Sequence, residues 1–356
     1  MHIQQLTLKH FRCFTDVTFS FDAPLILLCG PNGSGKTSIL EGIHYLCYLR
    51  SFRTYSPGDL LSFGQPSFFV HAALMLPDNT VNDVQVGVSG KKRLVKVNQR
   101  PIQSYKELMV HYRVVTITQD DIHLVNGEPS YRRLFLDQAL MMHDPTVIAL
   151  MQQYRHILEQ RNALLASSQP LSSYDSWTQS LWQSAVAIKD LRVAYIAQLE
   201  TQINQLLSQF FNASWTISLE YTPRYNLGSS VESMLGDSNL RNQELRFKRT
   251  LFGPHLDDIK IIFKDQNSRL YSSRGQQRLV AALLRIAHVQ LVAARQGPAI
   301  LLLDDIMTDF DDQILEQLIS LILSMPGQRI FTAPYQQGHG IHLLQKQGAL
   351  IQNISG

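Results

Sequence analysis

The run Gly30-Pro-Asn-Gly-Ser-Gly-Lys-Thr37 fits the pattern G-x-x-x-x-G-K-[ST]. It follows a continuous apolar stretch, Pro24 to Cys29, and precedes a helix-compatible segment that opens at Ser38. That is the strand, loop and helix context a phosphate-binding loop requires. Gly30, Gly33 and Gly35 permit a turn in which backbone N–H groups of Pro31 to Ser38 other than the proline point inward, Pro31, Asn32 and Ser34 filling the remaining loop positions. Lys36 is expected to reach the terminal phosphates, Thr37 to ligate Mg2+, and the helix start to add positive potential, so ATP and Mg2+ are the expected cofactors. A second apolar stretch, Ala299 to Leu303, ends in Asp304-Asp305. Alone the pair reads as a strand end; beside the phosphate loop it reads as a magnesium-side carboxylate, Asp304, followed by a general base, Asp305. Asp is one methylene shorter than Glu, so slow hydrolysis is expected.

Between these elements lies Ser272-Ser-Arg-Gly-Gln276, leading into a segment of helical apolar spacing. A serine at a helix start is an ordinary cap when it stands alone. Placed upstream of Asp304, the segment resembles the signature sequence of the ATP-binding-cassette superfamily. The resemblance implies that Ser273, Gly275 and Gln276 grip the γ-phosphate bound by a second copy, hence an ATP-dependent homodimer. Ile117-Thr-Gln-Asp120 resembles the Q-loop, with Gln119 sensing metal and water, and Thr308-Asp-Phe-Asp311 resembles the D-loop, with Asp311 near the nucleotide. The superfamily's switch histidine is absent, because Arg329-Ile-Phe-Thr332 is followed by Ala333.

Elements able to position these residues are legible in the periodicity. Residues before about 118 alternate in the manner of strands, with turns at Pro77-Asp and Ser89-Gly. From Tyr131 to Phe211 the pattern becomes helical: Leu181, Ile188, Leu191, Tyr195, Leu199, Ile203 and Leu206 lie on one face of a long helix. A break at Gln169-Pro-Leu-Ser-Ser makes an antiparallel helical arm, and Asn226 to Ser238 is expected to be a mobile loop. The expected class is therefore α/β, a P-loop ATPase head of mixed sheet and flanking helices (1–125 and 246–356) with an inserted helical lobe (126–245).

The 356 residues are 45% hydrophobic and 17% charged, with a formal net charge of +3. That balance fits a globular chain and permits a polyanionic partner without demanding one. No signal peptide and no apolar run of membrane-spanning length is read, so a cytoplasmic location is expected. Cys13, Cys29 and Cys47 form no C-x-x-C pair and read as reduced thiols. Lys91, Lys92 and Arg93 form the densest basic run, a solvated hairpin or a DNA-phosphate contact; Arg132 and Arg133 are phosphate contacts or ion pairs at the base of the arm. His255 reads as a structural hydrogen-bonding residue.

Specific strings narrow the superfamily. Leu8-Lys-His-Phe-Arg12, Arg50-Ser-Phe-Arg53, Asp121 to Asp137 with Gly127-Glu-Pro, Gln160-Arg-Asn162, Leu251-Phe-Gly-Pro-His-Leu-Asp-Asp258 and Ser273-Arg-Gly-Gln-Gln277 together resemble the RecF recombination-mediator family, nearly end to end. Leu256 departs from it, standing where the family usually has Arg. The resemblance implies a cassette ATPase head like those of SMC-type repair proteins without the long coiled coil. It further implies a slow DNA-stimulated ATPase that binds gapped DNA at single-/double-strand junctions, with RecR and RecO as partners, supporting RecA loading, gap repair, replication restart and the SOS response. Two other readings of the cassette elements are a transporter's nucleotide-binding subunit and a non-hydrolysing ATP-bound scaffold.

Overall fold

The computed structural model describes residues 1–102, 108, 111–167, 172–226, 230–308, 310–334 and 338–354. The chain divides into two units: Met1–Asp121 with Gln209–Asn212 and Arg285–Gly356, and Ile122–Ser208 with Ala213–Leu284.

In the first unit, five short strands form a parallel sheet in the order β14, β3, β13, β12, β8. They are β3 (Leu25–Cys29), β8 (Val114–Thr118), β12 (Ile300–Asp304), β13 (Arg329–Ala333) and β14 (Leu350–Asn353). All five residues of β3 are buried, as a strand covered on both faces must be. A second, antiparallel sheet runs β2, β1, β4, β5, β6, β7. Its strands are β1 (His2–Phe11), β2 (Phe14–Ser20), β4 (Ser67–Met75), β5 (Val81–Ser89), β6 (Lys92–Val97) and β7 (Arg100–Pro101). Alternate residues of β4 (Phe68, Val70, Ala72, Leu74) face one core together with Leu6 and Leu8 of β1 and Ile39, Leu40 and Ile43 of helix α1 (Lys36–Tyr48). The buried amide of Gln328, 2% exposed, joins the two sheets. Its Oε1 accepts from the Ile3 amide at 2.7 Å, and its Nε2 faces the carbonyls of Ile3, Phe21 and Ala23 at 2.9–3.0 Å.

The second unit is built on α2 (Pro129–His143), α3 (Val147–Ala166) and the 39-residue α4 (Ser172–Phe210), with a small sheet of β9 (Ile217–Thr222), β10 (Asp258–Phe263) and β11 (Gln266–Asn267). Tyr154 and Ile157 of α3 share a core with Leu181, Trp182, Ala185 and Ile188 of α4, the face marked by the sequence periodicity. This unit also takes in residues 246–284, assigned to the head from sequence, because β10 pairs along its length with β9.

Two expectations change. Of the loop expected at 226–238, Val231–Leu235 is helical and α5 (Ser238–Phe247) begins at its end. The polar residues that suggested a loop are helix caps: Ser230 accepts from the Ser233 amide and Asp237 from the Leu240 amide. Residues 227–229, like 168–171 where the arm was expected to break, lie outside the described residues. Helix α6 (Arg274–Gln296) is long and apolar enough to cross a membrane, although no such run was read, because Arg278, Arg285 and His288 interrupt its apolar residues. Most of that stretch is buried in the protein, as in a core helix.

Replacing Gln328 with Leu strands the Ile3 amide and several buried carbonyls. It should lower stability by about 2 kcal/mol or more, read as a lower urea midpoint; an unchanged midpoint would contradict the joining role.

Candidate nucleotide site

In a parallel sheet, the carboxyl ends of neighbouring strands lie along one edge, where α/β proteins hold ligands. Register pairs Cys29 with Ala333, Leu303 with Phe331 and Asp304 with Thr118. The phosphate loop after β3, Asp304 at the end of β12, Thr332 near the end of β13 and Gln119 just after β8 are therefore delivered to the same edge. They line or border a cleft of about 560 Å³ whose wall includes Asn32, Gly33, Lys36, Thr37, Asp304 and Asp305.

Local backbone explains the loop. Gly35 is the residue before α1 and is left-handed (φ 96°), so a side chain there is strained. A Cβ at Gly35 would also lie 2.5 Å from the Phe14 ring and 2.7 Å from the Cys13 sulfur. No side chain caps α1, which leaves its N-terminus open to an anion. Lys36 Nζ donates to the carbonyls of Gly30 and Pro31, both at 2.8 Å, which folds its ammonium over the loop. Burial lowers its pKa, opposed by the carboxylates of Asp305 and Asp304. Ser34 Oγ and Asp305 Oδ1 are buried without a hydrogen-bond partner among the described residues, polar atoms that a bound phosphate, water or cation would satisfy.

Thr37 Oγ1 and Thr332 Oγ1 each donate to Asp304 Oδ1 at 2.9 Å. Burial pushes the Asp304 carboxyl pKa up, and the two hydroxyls pull it back. Among the described residues no cluster of three or more His, Cys, Asp or Glu is placed to hold a metal. A cation here would take the Thr37 hydroxyl, the Asp304 carboxylate and oxygens of the ligand, a donor set that suits Mg2+. Asp305 has a left-handed backbone (φ 51°), uncommon for a residue with a side chain. Its N–H donates to Thr332 Oγ1 at 2.9 Å, and Gln119 Nε2 donates to its carbonyl (3.0 Å), its Oδ2 (3.2 Å) and the Thr308 hydroxyl (3.0 Å). Gln119 and Asp305, paired only by motif in the sequence, are thus in direct contact. Burial and then Asp304 raise the Asp305 pKa, which suits a group that accepts a proton.

Several site residues were not marked by the sequence. Thr332 looked like an unremarkable strand end. Arg12 and Arg53 also line the cleft. Arg12 donates from Nε and Nη2 to both oxygens of the fully buried Glu41 at 2.7 Å, bracing α1 from behind the loop.

Other predicted residues lie elsewhere. Ser273 caps α6 in a reciprocal box, its amide donating to Gln276 Oε1 (2.9 Å) and its Oγ accepting from the Gln276 amide (3.3 Å). Ser273 remains exposed, and Gly275 has open space at its Cβ position. Asp311 caps α7 (Asp312–Ser324) through the Ile314 amide; Asp309 lies outside the described residues. Lys91, Lys92 and Arg93 are exposed at the β5–β6 turn, with Arg93 donating to the Leu49 carbonyl. Arg132 is buried and forks onto both oxygens of Asp258 (2.7 and 2.9 Å), which fits the ion-pair alternative and removes it from any DNA surface. Arg133 donates to the Asp257 carbonyl. His255 Nδ1 shares a 2.6 Å hydrogen bond with the Tyr154 hydroxyl, and burial lowers its pKa to about 4, so it is a neutral structural residue.

Residues 5–267 match the family model described as an AAA domain. The chain is 30% identical over 336 residues to the DNA replication and repair protein RecF of Halalkalibacterium halodurans, covering 90% of each. The chain belongs to the RecF family. A RecF of a Cyanothece species is likewise 30% identical over 338 residues, covering 90% of this chain and 89% of that one. A solved structure described as the recombination mediator protein RecF-ATP in the RecFOR pathway superposes with a TM-score of 0.84 at 24% identity, covering 93% and 91% of the two chains. The Smc head domain of Pyrococcus furiosus superposes at 0.55 with 15% identity, covering 96% and 91%. The RecF fold of the chain is therefore an SMC-like, cassette-type ATPase fold.

If Asp304 must be ionised to hold the cation, nucleotide binding in magnesium falls as pH drops through its raised pKa. Thr332→Val removes a hydrogen bond that lowers that pKa, so the loss should begin at higher pH. A fluorescent-ATP titration across pH checks this, and superimposable profiles would contradict it.

Proposed function

We propose that this chain is an ATP-gated DNA-binding recombination mediator of RecF type with weak ATPase activity. The observation that carries the reading is the single sheet edge holding Lys36, Thr37, Asp304 and the Gln119–Asp305 contact. The backbone of Gly30 to Ser38 and the Lys36 ammonium cradle the phosphates of ATP. Thr37 and Asp304 hold Mg2+, which when bound neutralises charge on the phosphate oxygens. Gln119 orients the Asp305 carboxylate toward the attacking water. The short Asp305 side chain, and Ala333 where cassette ATPases carry a histidine, make turnover slow.

Ser273, exposed at the start of a 23-residue helix, and the half-buried Gly275 engage the γ-phosphate held by a second copy, so that ATP drives homodimerisation. The dimer binds gapped DNA at single-/double-strand junctions through backbone phosphates. Its partners are RecR and RecO, as the RecFOR description of the solved relative suggests. RecA loading, gap repair, replication restart and SOS induction follow in a cytoplasmic setting.

Gel-shift titration on gapped DNA tests this. ATP should raise affinity about tenfold, Lys36→Met should abolish the gain, and gapped DNA should accelerate phosphate release in the parent only. DNA affinity indifferent to nucleotide would sink the proposal.

A further inference from the structure

The second unit carries a cleft of about 720 Å³ that takes no part in the nucleotide site, a size suited to side chains of a ligand. Its floor is aliphatic, with Leu240, Leu251 and Leu256, and its rim carries the guanidinium groups of Arg133, Arg224 and Arg249. Glu128 is its one acidic lining residue, with a 76% exposed side chain that faces Arg269 at 4.0 Å. Arg224 and Arg249 are exposed, and neither side chain makes an ion pair among the described residues. Arg133 is steadied by its bond to the Asp257 carbonyl, so one cation of the rim is held in place before any ligand arrives.

Charge alone would fit single-stranded nucleic acid or an acidic protein segment, and the rings favour the second. Single-stranded nucleic acid needs open aromatic faces on which bases stack. Tyr225 is packed edge-on against Trp182 and Phe252, at 6.4 Å from each, and its hydroxyl reaches Asp237. Phe247, 53% exposed, has the Arg246 guanidinium 5.7 Å from its ring centre. Phe247 is thus the one lining ring left open, too few to stack a run of bases; the rest is an aliphatic floor under a guanidinium rim, which matches a peptide alternating carboxylates with apolar side chains.

We propose that this cleft docks an acidic, leucine- or phenylalanine-bearing peptide segment of a protein partner. The carboxylates pair with Arg133, Arg224 and Arg249, and the apolar side chains cover Leu240, Leu251 and Leu256.

Fluorescence polarisation of the full chain with a short labelled peptide alternating aspartate and leucine is the test. The parent should bind it, and the Arg224→Glu/Arg249→Glu variant should bind about tenfold more weakly or worse. These positions are exposed, so an unchanged thermal midpoint is expected to accompany the loss. Leu256→Asp, and a peptide with serine in place of leucine, should each weaken binding to a similar degree. No binding by the parent, or equal binding by the arginine variant, would overturn the proposal. So would oligothymidylate that displaces the peptide and loses affinity in the same variant, which would make the cleft a nucleic-acid site.

Discussion

A carboxylate drawn out of water must be compensated, and the half-buried Asp304 accepts hydrogen bonds from two hydroxyls. Thr37 comes from the start of α1 and Thr332 from β13, so one oxygen ties together the phosphate loop, the strand carrying the acid and the strand between them. The rest of the head serves that junction. Buried apolar strands set the register, α1 is packed against the antiparallel sheet, and Gln328 locks the two sheets without leaving polar backbone stranded. Thr332 also receives the Asp305 N–H, which fixes the unusual backbone of Asp305 and turns its side chain toward Gln119.

Arginine serves different ends in different places. Arg12 and Arg161 fork onto the buried carboxylates of Glu41 and Glu244, where removal of either partner would leave an uncompensated charge. Arg132 does the same work with Asp258. Arg285 on α6 donates to Asp121, whose other oxygen accepts from the Thr118 amide at the start of the Gln119 turn. Cations such as Arg224 and Arg249, which have no such partner among the described residues, are available to a ligand.

Much of the head was legible because its signals are local. The apolar runs before Gly30 and Asp304 and the glycine spacing of the loop each follow from a few adjacent residues. The long helix announced itself through the step from Leu181 to Leu206. What stayed hidden depends on register or on distance along the chain. Thr332 matters because β13 lies between β3 and β12, which no periodicity reveals. Arg132 and Arg133 are adjacent, yet helical geometry buries one and leaves the other half-buried. Serines near Ser230 suggested a loop because capping and turn residues share one composition.

Calorimetric titration of ATP, with magnesium and with chelator, tests most directly that the hydroxyl-bridged Asp304 is one half of a cation-assisted nucleotide site. The account predicts that chelation weakens binding about tenfold or more, and that Asp304→Asn binds as weakly in magnesium as the parent does in chelator. Equal affinity in both media, or an Asp304→Asn variant that keeps its magnesium dependence, would contradict it.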